Sequence, residues 1–318
     1  MTDVAEADTE GRSVLAASGE VRVRVPAKVN LHLGVGPLRP DGYHALTTVY
    51  HAISLFDDLV ATRADRLSLS ITGEGAGELP TDENNLVVRA VHALARHTCR
   101  EPNVALRLTK QIPVAGGLAG GSADAAAALV ACDALWGTGL SRVELAKIAA
   151  EIGSDVPFLV LGGTALGTGR GEMVSPVLAP GTWHWVVAVA SVGLSTPEVY
   201  AELDRLRAAG RAAGVGESPP EQLLAALRQH DPQVLAAALT NDLQPAAISL
   251  RPGLRRTLRA GMDEGALGGF VSGSGPSCVF LARDADHAAK LAARLAGRGV
   301  CRAVRTAHGP VPGARVVA

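Results

Sequence analysis

A two-domain protein of α+β type is predicted by three observations: chain length, an apolar content suited to packed cores, and segments of period-two and helical character that mix throughout. The chain has 318 residues, more than one core comfortably serves, and at about 100–200 residues per domain it suits two. Hydrophobic residues make up 47% and charged residues 19%, the balance of a packed protein and not of a disordered one. The formal net charge is -1 and no run of Lys or Arg forms a stripe, which argues against nucleic acid as the main partner. Cys99, Cys132, Cys278 and Cys301 form no C-x-x-C pair, so reduced thiols are expected and a zinc site is not. Asp3, Glu6, Asp8 and Glu10 lie where a signal peptide would need an apolar stretch, and no segment approaches the ~20 apolar residues of a spanning helix. A cytoplasmic protein without a membrane partner is expected.

Residues 1–19 are small, acidic and aperiodic and read as a flexible tail. From Glu20 the run V-R-V-R-V alternates like a half-buried strand, and Pro26 ends it. A second alternation follows, with Val29, Leu31 and Leu33 on one face and Lys28, Asn30 and His32 on the other, a polar face suited to lining a site. P-L-R-P-D-G-Y-H, Pro37 to His44, is turn chemistry. Leu67–Ile71 and Val104–Lys110 read as strands, with a helix over Asn84–His97 between them. Ser122 opens an Ala-rich helix to about Leu135, and the capping box Ser141-x-x-Glu144 opens another that Gly153 closes. W-V-V-A-V-A after Gly181 is a short buried strand. Pro197 to about Glu264 is mostly helical, broken between Gly210 and Pro220. A strand C-V-F-L-A, a helix capped by Asp284 and a last strand V-C-R-A-V-R-T make a β-α-β tail. The domain break falls near residues 176–182, giving domains over 20–178 and 179–318.

Three segments carry chemistry. P-V-A-G-G-L-A-G-G-S-A, Pro113 to Ala123, lies between a strand and a helix. Its glycines at 116, 117, 120 and 121 let backbone N–H groups approach an anion, and the following helix start attracts phosphate. A tight strand-to-helix turn is the plainer alternative. The segment is no Walker A motif, because Ser122-Ala123 stands where Lys-Ser/Thr is required. Such a cradle needs a cation from elsewhere; Lys28, on its polar-faced strand, is the candidate, although a strand lysine is often merely solvated. In G-S-D-V-P, Asp155 follows a helix-ending glycine and precedes a buried run. It suits either a base for a hydroxyl proton or a helix cap. V-S-G-S-G-P-S-C, Val271 to Cys278, suits a phosphate contact or a turn equally.

Taken in order, P-A-K-V-N-L, P-x-x-G-G-L-x-G-G-S-A, G-S-D-V-P and S-G-S-G-P resemble the GHMP kinase superfamily along residues 21–310. R-P-D-G-Y-H and G-S-D-V-P-F narrow the resemblance to its diphosphocytidyl-methylerythritol kinases. The resemblance implies a GHMP kinase fold, with an S5-like N-terminal α/β domain, a ferredoxin-like C-terminal domain and a site in the cleft between them. It implies ATP as co-substrate, magnesium, and a cytidine diphosphate derivative whose 2-hydroxyl is phosphorylated. Lys28 and Asp155 fall on the catalytic pair. Pro113, Val114, Ala115, Gly116, Gly117, Leu118, Ala119, Gly120, Gly121, Ser122 and Ala123 fall on the ATP-phosphate loop. Asn85 and Leu86 fall near adenine, and Ser122 is the implied magnesium ligand. Tyr43 and Tyr200 fall on rings either side of cytosine, His44 on its edge, and Asn30, Thr196 and Ser274 elsewhere on the substrate. Ala115 and Ala119 depart from the family, where many members carry glycine. The rivals are a homoserine- or mevalonate-type kinase, which needs no cytosine pocket, and a non-catalytic ATP- or RNA-binding relative. Oligomeric state stays open between monomer and weak dimer.

Overall fold

In a computed structural model, residues 19–212, 216 and 220–317 are described; nearly all of the expected tail, and much of the expected 210–220 break, lie outside them. The first sheet starts with two long strands, β1 (Glu20–Leu38) and β2 (His44–Arg63), joined through the Pro40–Gly42 turn. Pro26 does not end β1. The register shifts between Pro26 and Ala27 and the strand continues, because a bulge accommodates the missing N–H without breaking the ladder. The sequence reading missed β2, whose H-A-L-T-T-V-Y-H-A-I-S-L mixes apolar and polar residues without regular alternation. β3 (Ser68–Gly73) follows, then helix α1 (Leu86–Thr98), capped at its start by Asn85, whose side chain accepts from the Val87 N–H at 2.9 Å. β4 (Val104–Lys110) inserts between β2 and β3.

Helix α2 (Gly120–Trp136) is buried on nearly all sides, as an Ala-rich helix without a polar face must be, and lies against β1, β2 and α1. Ser122 does not cap it: the cap position is Ala119, in the left-handed region at φ 57, and Ser122 is the third helical residue. Helix α3 (Arg142–Ala150) has the predicted capping box, with Ser141 and Glu144 each bonding the other's backbone. The apolar run after Asp155 divides into helix α4 (Val156–Leu161) and strand β5 (Thr164–Thr168), which pairs with β2 and with β6 (Met173–Pro176).

The second sheet starts at β7 (Trp183–Val189). Helices α5 (Thr196–Ala208), α6 (Glu221–Gln229) and α7 (Pro232–Ala238), strand β8 (Thr240–Asn241) and helices α8 (Gln244–Leu250) and α9 (Gly253–Asp263) follow. β9 (Gly268–Val271), β10 (Cys278–Ala282), helix α10 (Ala285–Gly297), β11 (Ala303–Gly309) and β12 (Arg315–Val317) complete the chain. The antiparallel order is β11-β7-β10-β9. Two segments of the second half return to the first sheet, as β8 pairs parallel with β1 and β12 antiparallel with it. The halves also share apolar contact, since Trp183 and Trp185 are buried in one core with β1 and α2. At this junction His51 stacks edge-on to Trp185, with ring centroids 5.7 Å apart, and its Nδ1 lies 2.9 Å from Thr164 Oγ1.

Candidate active site

The glycine segment, the polar face of β1, the start of α4 and the loop before β10 converge on one cleft of about 700 Å³. The glycine segment crosses from β4 to α2. Its first intrahelical bond runs from Ala123 N–H to Ala119 O at 2.9 Å, so the amides of Gly120, Gly121 and Ser122 precede the ladder and are left free at the helix's positive end, where an anion would be stabilised. Gly117 sits at φ 75, and a Cβ there would meet Ser272 O at 2.1 Å. Only glycine lets this turn pack on the loop before β10. That loop is bound to it, with Ser272 Oγ donating to Gly117 O at 3.0 Å and Ser277 N–H to Gly116 O at 3.2 Å. Two alanines of the segment are left-handed, Ala115 at φ 52 and Ala119 at φ 57, a conformation that costs an alanine about 1–2 kcal/mol. Ala115, Gly116, Gly117, Ala119, Gly120, Gly121 and Ser122 line the cleft. Leu118 and Ala123 are core residues, Pro113 is buried, and Val114 lies beneath Gly75.

Lys28 and Asn30 project from β1 into the cleft, and Lys28 Nζ donates to Asn30 Oδ1 at 2.7 Å. Asn30 Nδ2 in turn donates to Thr48 Oγ1 at 2.8 Å, which fixes the amide's orientation. Asp155 Oδ2 lies 3.4 Å from Lys28 Nζ, with Lys28 almost wholly buried and Asp155 28% exposed. Asp155 stands at the cap position of α4 but makes no capping bond. Its other oxygen accepts from the Tyr50 hydroxyl at 2.9 Å, so the carboxylate faces the cleft and not the helix. Burial, and then the Asp155 carboxylate, hold the Tyr50 phenol well above its ordinary range, and it remains a donor. Tyr50 is itself held by Phe158, stacked at 4.9 Å. The loop before β10 closes this corner: a Cβ on Gly273 would sit 3.4 Å from Lys28 Nζ.

The other end of the cleft carries Tyr43, His44, Arg170, Thr196, Tyr200, Asp204 and Ser274. Tyr43 is 53% exposed, with the Arg170 guanidinium 5.0 Å from its ring centre. The ring of His44 stacks on Tyr200 at 5.1 Å and 30°, so one partner of the expected cytosine sandwich already has a histidine against it. Burial, then Asp155, raise the Tyr200 phenol, which ties this end electrostatically to the Lys28–Asp155 end. Thr196 Oγ1 lies 2.9 Å from Ser274 Oγ, joining α5 to the loop before β10.

Asn85 does not reach the cleft. Its carbonyl caps α1 and its amide donates to Pro80 O at 2.7 Å. Leu86 stands beside the glycine segment, 3.8 Å from where a Cβ on Gly121 would lie.

Beneath the segment lies a group that the sequence reading passed over. Lys110 Nζ contacts Asp57 at 2.7 Å and Asp124 at 2.6 Å, all three buried. Burial alone would pull Lys110 down, but Asp124 and Asp57 outweigh it and the net shift is upward. Burial holds Asp124 well above the usual carboxylate range. A signal existed: alternation puts Lys110 on the same face as Val104, Leu106 and Leu108, the buried one. Tyr50, Arg170 and Asp204 were also missed, and single residues in unmarked loops, strands or helices offer no such signal.

Among the described residues no group of three or more His, Cys, Asp or Glu side chains could hold a metal ion. A divalent ion carried mainly by substrate phosphates fits this donor set, with the half-buried Ser122 the hydroxyl nearest the free amides. An ion needing an all-protein cage does not fit. No helix among the described residues is long and apolar enough to cross a membrane.

Comparison with known proteins identifies the family. Residues 85–163 match the model of the GHMP kinases N terminal domain and residues 223–301 that of the GHMP kinases C terminal. A 4-diphosphocytidyl-2-C-methyl-D-erythritol kinase of Salinispora tropica is 70% identical, over 94% of this chain and 95% of that protein. The protein of the same name from Mycobacterium tuberculosis is 57% identical, over 94% of each chain. A crystal structure of 4-(cytidine 5'-diphospho)-2C-methyl-D-erythritol kinase superposes with a TM-score of 0.73 at 32% identity, covering 90% of this chain and 98% of that one. Homoserine kinase from Cytophaga hutchinsonii, at 21% identity and a TM-score of 0.74 over 95% and 98%, shares the fold.

Proposed function

The chain belongs to the 4-diphosphocytidyl-2-C-methyl-D-erythritol kinases of the GHMP kinase family, and we propose that it transfers the γ-phosphoryl group of ATP to the 2-hydroxyl of 4-diphosphocytidyl-2-C-methyl-D-erythritol. It is an ATP-dependent small-molecule kinase, acting in the non-mevalonate isoprenoid pathway. The single observation that carries the residue assignment is Asp155, turned away from its helix toward Lys28 and Tyr50 beside the free amides of α2.

Phosphoryl transfer asks the protein mainly for positioning and charge stabilisation. The amides of Gly120, Gly121 and Ser122 receive the ATP phosphates, and the glycine segment lets backbone approach them. Asp155 accepts the proton of the acceptor hydroxyl. Tyr50 and Lys28 keep that carboxylate aimed, and the Lys28 ammonium lies where it can also meet the transferring group's charge. Asn30 holds Lys28 from the opposite side and reaches the acceptor's hydroxyls. Magnesium, when bound with ATP, neutralises phosphate charge, and Ser122 is the residue assigned to it. Leu86 borders the nucleotide end of the phosphate segment, whereas Asn85 serves α1. At the far end Tyr43 and Tyr200 offer ring faces to cytosine, and His44 reads its edge. Thr196 and Ser274 close the cleft over the diphosphate.

A coupled ADP-release assay with the cytidine substrate beside homoserine and mevalonate tests this reading. Turnover confined to the cytidine substrate is expected; turnover of homoserine or mevalonate at a comparable rate would overturn it.

A further inference from the structure

We infer that Asp204 fixes the tautomer of His44 and thereby makes the site select an amino-bearing pyrimidine over a carbonyl-bearing one. The inference rests on the functional reading above and extends it to a residue at the rim of the cleft that acts through His44. Helix α5 presents two side chains one turn apart, Tyr200 and Asp204, and both act on the same imidazole. Tyr200 supports the ring face at 5.1 Å, and Asp204 Oδ1 lies 3.0 Å from Nε2. His44 is 6% exposed and Asp204 47% exposed, so the ring is held inside while the carboxylate reaches in from the rim.

An ionised carboxylate can only accept, so Nε2 carries the proton and donates. In the neutral ring the lone pair is then on Nδ1, which has no hydrogen-bond partner among the described residues and belongs to a side chain lining the cleft. A lone pair at that place accepts a bond from the exocyclic amino group of cytosine. It repels the O4 carbonyl of uracil, which would leave two acceptors facing each other beside a buried imidazole. Asp204 is therefore a positioning residue, acting through His44. Without it the ring is free to carry its proton on Nδ1, and that tautomer welcomes uracil. Nothing else among the described residues holds Nε2.

The experiment uses the full-length enzyme, wild type and the variants Asp204→Ala and Asp204→Asn, with two readouts. The first is the ratio of kcat/KM for the cytidine substrate to that for its uridine counterpart. It should fall about 10–100-fold in Asp204→Ala, the worth of one unmatched buried polar group, while the KM for ATP holds. Asp204→Asn should keep much of the ratio, since its carbonyl accepts the same bond. The second is the imidazole ¹⁵N spectrum of the substrate-free protein, with the His44 signal assigned by its loss in His44→Gln. It should report a proton on Nε2 in wild type and a mixture in Asp204→Ala. A wild-type ratio in Asp204→Ala, an equal loss toward both substrates, or a wild-type proton on Nδ1 would each overturn the inference. If wild type shows Nε2 protonated yet turns over neither pyrimidine substrate, the functional reading has failed, and the selectivity inference falls with it.

Discussion

Replacing Asp155 by asparagine separates a catalytic carboxylate from a helix cap, because the two roles differ in what they cost. The side chains are isosteric, so packing at the start of α4 is unchanged. No capping bond exists to lose, which removes the penalty of about 1 kcal/mol that a true cap would carry. Tyr50 can still donate to the asparagine carbonyl. The Lys28–Asp155 contact, at 3.4 Å with a partly exposed carboxylate, is longer than a charge-assisted bond of about 2.7–2.9 Å. Solvent-screened pairs of this kind contribute about 0–1 kcal/mol, and Lys28 keeps its bond to Asn30. Folding stability should therefore change by less than about 1 kcal/mol. The kinetic loss is of another size: a positioned base contributes about 10²–10⁴ in rate, equal to roughly 3–5 kcal/mol of barrier. Single-turnover ADP formation at saturating substrates, beside urea unfolding of the same preparations, measures both. Wild-type turnover with an unchanged unfolding midpoint would refute the assignment, and so would a stability loss above about 2 kcal/mol that by itself explains the lost activity.

Three further outcomes are expected. Lys110→Met should cost about 3–5 kcal/mol in urea unfolding, because it leaves Asp57 and Asp124 buried without their cation, and adding Asp124→Asn should recover part of that; a wild-type midpoint in the single variant would contradict it. Ser122→Ala should leave stability within about 0.5 kcal/mol, the range of substitutions that remove no cap or core contact, while weakening the response to magnesium; an unchanged magnesium titration would remove Ser122 from the metal's surroundings. Burial pushes the His51 imidazole down to about 3. Its contribution is thus fully present above the ordinary value near 6.5 and is lost as pH falls toward the folded value, by up to about 5 kcal/mol. His51→Gln should flatten the loss of unfolding free energy between about pH 6.5 and 4, and parallel pH profiles for the two proteins would refute the assignment.

The sequence alone determined whatever depends on neighbours along the chain. Ser141 and Asp284 cap helices as predicted, because a cap is a bond between residues three apart. The strand over Val104–Lys110 follows from its alternation, and the glycine segment from the angles its turn demands. The order of motifs along the chain was enough to point to the family. Tertiary structure decided what depends on distant partners. Asp155 stands at a cap position, and only Lys28 and Tyr50, brought from β1 and β2, turn its carboxylate into the cleft. Ser122 has a capping side chain, but packing of the glycine segment on the loop before β10 starts the helix at Gly120, two residues earlier than predicted. The third motif, ambiguous by itself, gains a role by lying against Lys28. β12 returns to pair with β1 although almost the whole chain separates them. Alternation places Lys110 on the buried face of its strand, and only Asp57 and Asp124, arriving from other elements, supply its partners. The reason is common to all of these: local bonds are specified by short spacings that a sequence displays. The burial and charge partners that orient a site come from segments whose approach only the assembled core decides.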